Sequence, residues 1–136
     1  MKKLFFMLFS IALLASCSDD DDVNNKDDER IYGKWFVAEA KGIPGLELDD
    51  CNRDSYITFN SDNTTYSEYY TQTGDDCTPE DETESVWEVN GDTYTFTIPF
   101  ENLGQVNGDV SFNAEANQFT FTPRAVPSAA LVFEMR

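Results

Sequence analysis

Apolar residues in this chain recur at every second position over short stretches, and no useful length of it carries the three-and-four spacing of an amphipathic helix. The clearest stretch is 93–100, where Tyr94, Phe96 and Ile98 alternate with Thr93, Thr95 and Thr97. The same beat puts Gly33, Trp35 and Val37 on one face of a strand over 31–40, and Ile57 and Phe59 on one face of 55–60. Residues 65–71 return as a third strand, and Trp87 with Val89 mark a fourth over 85–89. Val106, Gly108, Val110 and Phe112 keep parity through a sixth, with a bulge expected at Gly108. Phe119 and Phe121 mark the seventh, and Leu131, Phe133 and Met135 the eighth. Ser61-Asp62-Asn63-Thr64 has the composition of a tight turn, and Asn90-Gly91 is the strongest hairpin signal because both residues tolerate the positive φ of a type I′ turn. Residues 41–53 and 72–84, rich in acids, Gly and Pro, read as loops. Eight short strands with one apolar face each predict an all-β, up-and-down antiparallel eight-stranded barrel, whose closure removes both exposed edges. A two-sheet sandwich would give nearly the same pattern.

One segment breaks the beat. Residues 4–15 are apolar except for Ser10 and follow Lys2 and Lys3, a run too short to span a bilayer as a helix but suited to the apolar region of a secretory signal. Leu14-Ala15-Ser16-Cys17 resembles a bacterial lipobox, which implies removal of residues 1–16 and a lipid on Cys17; a plain signal peptide with a chance cysteine is the alternative. Ser18, Asp19, Asp20, Asp21 and Asp22 resemble the acidic export signal that follows the lipidated cysteine in Bacteroidota lipoproteins, implying a lipid-anchored protein of the outer membrane, exposed at the cell surface. Physically, adjacent like charges repel and stay hydrated, so 17–29 reads as an extended tether and 30–136 as the folded domain. The Asp run lacks the spaced ligands and the Gly turn of a calcium loop.

Charge and cysteine content narrow the function. The chain carries a formal charge of −17, and without residues 1–16, which hold two lysines and no acid, seven basic side chains face 26 acidic ones. Such a surface repels nucleic acid and anionic head groups alike, so attachment to a membrane falls to the N-terminal lipid. Of three cysteines one is assigned to lipid, leaving Cys51 and Cys77 to pair in an oxidising compartment. Closing a loop of roughly 27 residues contributes about 3.5 kcal/mol in the chain-entropy model, and two free thiols are the alternative. There is no histidine, hence no Ser-His-Asp or Cys-His pair and too few soft ligands for zinc. Glu84 and Glu88 flank Trp87, but four residues along one strand separate two carboxylates by about 13 Å, beyond either glycosidase geometry. A non-enzymatic, cofactor-free, metal-free monomer of one domain is expected.

The order of features then resembles a family. Gly33-Lys34-Trp35 looks like the G-x-W of lipocalins, and the continuation through Cys51, Ile57-Thr58-Phe59, Asp62-Asn63-Thr64, Cys77, Trp87 and Asn90-Gly91-Asp92 is similar to short lipocalin-like domains of Bacteroidota lipoproteins. The resemblance implies a barrel without specifying a ligand. In lipocalins a late-strand Arg lies over the G-x-W ring, and Arg124 and Arg136 are the late candidates. Trp35, Phe59, Trp87, Tyr94, Phe96, Phe112, Phe119, Phe121 and Phe133 face inward by parity, each able to bury ~150–250 Å2, enough to fill much of a small barrel. Two binding readings follow. In one, a small apolar ligand, uncharged or cationic because the acids repel anions, contacts Trp35, Trp87, Tyr94 and Phe96 near one mouth. In the other the core is filled and exposed rings among Tyr66, Tyr69 and Tyr70, whose two parities cannot all point inward, contact a surface glycan or protein. A scaffold without a ligand is the remaining possibility.

Overall fold

A computed structural model describes residues 28–100 and 103–136; the signal segment, Cys17 and the Ser18, Asp19, Asp20, Asp21, Asp22 run lie outside the described residues. A single 3-10 turn, Glu29–Ile31, leads into β1 (Gly33–Lys41), and a second, Asn52–Asp54, precedes β2 (Tyr56–Phe59). Then come β3 (Thr64–Thr73), β4 (Asp76–Val86), β5 (Glu88–Asn90), β6 (Thr93–Thr97), β7 (Gln105–Phe112), β8 (Gln118–Pro123) and β9 (Ala130–Glu134). All pairings are antiparallel in one sheet of order β4-β3-β2-β1-β9-β8-β7-β6-β5. One sheet, not two, decides the architecture in favour of a curled barrel over a sandwich. Its edge strands β4 and β5 are consecutive in the chain and joined by Trp87, so the sheet curls into a half-barrel whose edges approach without a backbone ladder, and Ser85 and Thr97 share a hydrogen bond of 2.9 Å across the seam between β4 and β6.

The strands run as the alternation predicts, with four differences. Among the described residues the strands number nine rather than the expected eight, because the one expected over 85–89 is divided at Trp87 between β4 and β5. The acidic stretch 72–84 is not a loop: it forms the far half of a long β3–β4 hairpin turning at Gly74-Asp75. β4 is exposed on nearly every residue, so it carries no apolar alternation to read, and its single ladder with β3 is tied down by the Cys51–Cys77 disulfide. The β5–β6 turn is displaced by one residue: Asn90 pairs with Thr93, leaving Gly91-Asp92 as the turn residues, with Gly91 at φ +64°. Gly108 marks no bulge, since its register with Tyr94 and Pro123 is continuous; a Cβ there would meet the Thr122 carbonyl oxygen and, at 2.6 Å, the Phe121 ring.

Following the chain up and down places the 3-10 turn Glu29–Ile31, Trp35, Trp87 and the turns after β2, β5 and β7 at one end. The loops after β1, β3, β6 and β8 lie at the other end. Between them the axis is filled. Trp35, Val37, Ile57, Phe59, Phe96, Phe119, Phe121, Leu131 and Phe133 are fully or almost fully buried, with ring centroids 4.6 Å apart for Phe96–Phe121 and 4.8 Å for Phe119–Phe133 and Trp35–Phe119. Burial of each such side chain stabilises the fold by about 1.5–3 kcal/mol.

Candidate functional site

The end that carries Trp35 is sealed. Ile31 is fully buried, and the Trp35 indole N–H donates to its carbonyl at 2.7 Å. The Trp87 indole donates to Asn60 at 3.0 Å, and Tyr32 packs edge-on against the Trp87 ring at 6.0 Å. Asp28 locks the plug: its carboxylate accepts from the Tyr94 hydroxyl at 2.7 Å and from Arg30 Nη2 at 2.6 Å. The Arg30 hydrogen bonds hold the Asp28 carboxyl down at about 2, while burial, reinforced by Asp28, raises the Tyr94 phenol. The late-strand arginine expected over Trp35 is absent. Arg124 pairs with Asp109 at 2.9 Å and Arg136 lies 4.7 Å over Phe36, whereas Arg30, from the N-terminal side, lies 4.4 Å over Phe112, which in turn packs on Trp35 at 6.2 Å. Outside the plug an open groove of about 740 Å3 runs between the Asp28–Arg30 segment, the Gly91-Asp92 turn and Asp109 to Arg124. It is broad, polar and open to solvent.

All four side chains expected to touch a ligand, Trp35, Trp87, Tyr94 and Phe96, are core members, and of these Tyr94 alone also borders the groove. None lines the pockets at the opposite end, where partly open space remains. There residues 42–51, 98–100, 103–104 and 124–129 meet over the barrel, and residues such as Ile43, Phe100 and Leu103 divide the space. A pocket of about 180 Å3 is wholly apolar, walled by Ile43, Ile98, Leu103, Val106, Val126 and Ala129 among others. A second, of about 250 Å3, lies between Leu46, Tyr69 and Phe100. A third, of about 270 Å3, opens through the seam between β4 and β6. The sequence carried a faint signal for this mouth in Ile43, Leu46 and Leu48, apolar residues inside a loop, but no periodicity to aim them.

The disulfide anchors this end. Cys51 and Cys77 lie 5.5 Å apart at Cα and join the loop after β1 to β4. Asn52 donates to the Tyr70 carbonyl at 3.0 Å, and the Tyr70 N–H donates to the fully buried Ser55 hydroxyl at 2.9 Å. The three tyrosines of β3 divide as parity requires: Tyr69 points inward, its ring 5.6 Å from Phe100, while Tyr66 and Tyr70 lie on the outer face. Both outer hydroxyls donate to Glu68, at 2.8 and 2.7 Å; this lowers the Glu68 carboxyl and pushes the Tyr66 phenol up to about 12. Beside them Phe36, Tyr56 and Tyr66 form a row across β1, β2 and β3 with centroid steps of 5.7 and 6.2 Å, and the Lys34 ammonium lies 3.6 Å over Tyr56. Glu84 and Glu88 fall on different strands, β4 and β5, and both are exposed. Among the described residues no group of three His, Cys, Asp or Glu side chains is placed to hold a metal.

An antiparallel barrel plugged at one end by an N-terminal 3-10 turn packed on the Trp of a Gly-Lys-Trp, and open at the other, defines a calyx-type β-protein. The chain belongs to the family of lipocalin-like domains, whose model matches residues 31–124. No curated protein is similar enough to the chain to count as a relative. The family suggests a barrel that binds small ligands and is generally non-catalytic.

Proposed function

We propose that this protein is a surface-anchored lipoprotein, of the Bacteroidota type, whose lipocalin-like domain binds a small apolar ligand at the open mouth rather than along the barrel axis. The observation that carries this reading is the wholly apolar pocket of about 180 Å3 under loops 42–46 and 124–129, at the end opposite the plug. A filled axis leaves no deep calyx, and each mouth pocket is below the ~300 Å3 of a typical ligand site, so the ligand is small and uncharged. The anchor is compatible with an accessible mouth. Asp28 sits at the plugged end, so a tether from a lipidated Cys17, at most about 35–40 Å long, would join the domain at the end opposite the mouth.

Because both tryptophans lie at the plugged end, the informative reporters are methyl groups at the mouth. Titrating the full chain with small uncharged apolar compounds while following Ile43, Leu103 and Val126 methyl resonances should give saturable shifts, abolished by Ala129→Phe, which fills the pocket. Shifts that never saturate, or that survive Ala129→Phe unchanged, would overturn the reading. One observation favours the second reading, a non-catalytic surface module for a glycan or protein partner: the Phe36–Tyr56–Tyr66 row on the outer face. Substituting Tyr66 and Tyr70 by Ser would abolish binding to immobilised glycans under that reading and leave it unchanged under the first.

A further inference from the structure

The part of the inner wall formed by β3 and β4 is not apolar. The ladders place Thr65, Ser67 and Tyr69 of β3 on the face that carries Ile57 and Phe59, and pair them with Ser85, Thr83 and Asp81 of β4. Inward hydroxyls beside an aromatic core are costly unless they have partners. Toward the plugged end the partner is close, in the Ser85–Thr97 hydrogen bond of 2.9 Å across the seam; farther along the partners are long, Ser67 donating to the Thr83 carbonyl and the Thr83 hydroxyl to the Asp81 carboxylate, each at 3.5 Å. Beyond the Ser85–Thr97 bond β4 and β6 part without a backbone ladder, leaving the cavity of about 270 Å3 in the side wall. Ser67, Thr83 and Thr97 line its walls, Tyr69 and Phe100 present rings to it, and the Asp81 carboxylate stands at its rim.

We propose that this side-wall cavity binds a small organic amine, with the ammonium at Asp81 and Thr83 and the hydrocarbon part against Phe100 and Tyr69. Charge selects the ammonium. Among the described residues Asp81 has no cationic side chain within 4.0 Å, and its strand also carries Asp76, Glu80, Glu82 and Glu84 and no basic residue, which disfavours anions. The walls select against a purely apolar guest, which would leave Ser67 and Thr83 with only their 3.5 Å hydrogen bonds and would cover the Asp81 carboxylate without compensating its charge. The two rings, 5.6 Å apart and edge to face, favour a cation with an apolar or aromatic body. The volume corresponds to about nine waters, or an organic molecule of roughly ten heavy atoms. The site is distinct from the mouth pocket: the two share Ile98 alone, and its occupant is charged where the mouth's is not.

Phenethylamine, 2-phenylethanol and phenylacetate share size and ring but differ in charge, so amide spectra of the full chain titrated with each isolate the proposal. Phenethylamine should give saturable shifts at Ser67, Asp81, Thr83 and Thr97; 2-phenylethanol should bind about tenfold more weakly, the worth of one charge-assisted hydrogen bond, and phenylacetate not at all. Asp81→Asn, at an exposed position that leaves the fold intact, should weaken phenethylamine about tenfold, whereas Asp92→Asn in the distant groove should not. Equal affinity for amine and alcohol, unchanged affinity in Asp81→Asn, shifts confined to Val126 and Ala129, or no saturable shift at millimolar amine would each overturn it. Ala129→Phe separates the two sites: it blocks the mouth ligand and leaves the amine response in place.

Discussion

Replacing Asp28 by Asn tests how much of the domain's stability resides in the plug. The substitution keeps the shape and an acceptor oxygen but removes the charge that Arg30 and Tyr94 address through hydrogen bonds of 2.6 and 2.7 Å. A carboxyl held at about 2 against an ordinary value of 3.8 corresponds to a differential of about 2.4 kcal/mol. Asp28 itself is 19% exposed, but the Arg30 side chain is 60% exposed, so solvent screening reduces the expected loss to about 1–2 kcal/mol. The sign follows from the depressed value. The contribution is complete well above pH 3.8, decays as pH falls from there toward 2, and is gone below 2. Urea unfolding of both proteins, followed by emission of the buried Trp35 and Trp87, should show the variant less stable by about 1–2 kcal/mol at pH 7 and the two converging at pH 2. Other carboxylates titrate in the same window, but equally in both proteins, so the gap between them isolates Asp28. An equal gap at both pH values, or none at pH 7, would refute the reasoning.

Three further outcomes are expected. Double replacement of Cys51 and Cys77 by Ser should cost about 3.5 kcal/mol in urea unfolding while keeping the β-sheet circular dichroism, since the bond closes a loop of 26 residues' separation without supporting the ring core. Gly108→Ala should cost about 1–3 kcal/mol, because the added methyl overlaps the Thr122 carbonyl and the Phe121 ring; a loss of only a few tenths would show that β7 and β8 can move apart. Cys17→Ser should abolish incorporation of a fatty-acid analogue, and replacing Asp19, Asp20, Asp21 and Asp22 by Ala should keep lipidation but protect the protein from protease added to whole cells; equal digestion would reduce the run to a tether.

Much of the barrel is legible along the chain wherever one strand face is buried and the other wet. Thr93–Thr97 alternates strictly because Tyr94 and Phe96 meet the core while the threonines between and beside them are only half-buried, and the same contrast marks Trp35 and Val37, Ile57 and Phe59, and Phe119 and Phe121. Pairing of Cys51 with Cys77 was available from arithmetic alone, once one of three cysteines was assigned to lipid. β4 was not legible: exposed on both faces, it has no period, and it is a strand only because β3 and the disulfide hold it there. Gly108 announced an unusual position, but whether it served a bulge or a close approach depended on what β8 brings against it, a tertiary matter. The candidate site fared likewise. Inward parity could say that Trp35, Trp87, Tyr94 and Phe96 point into the barrel, not that all four would be consumed by the core and that the free space would lie under loops from three distant parts of the chain. Parity is a property of one strand, whereas a cavity is what several segments leave unfilled, and only packing determines that.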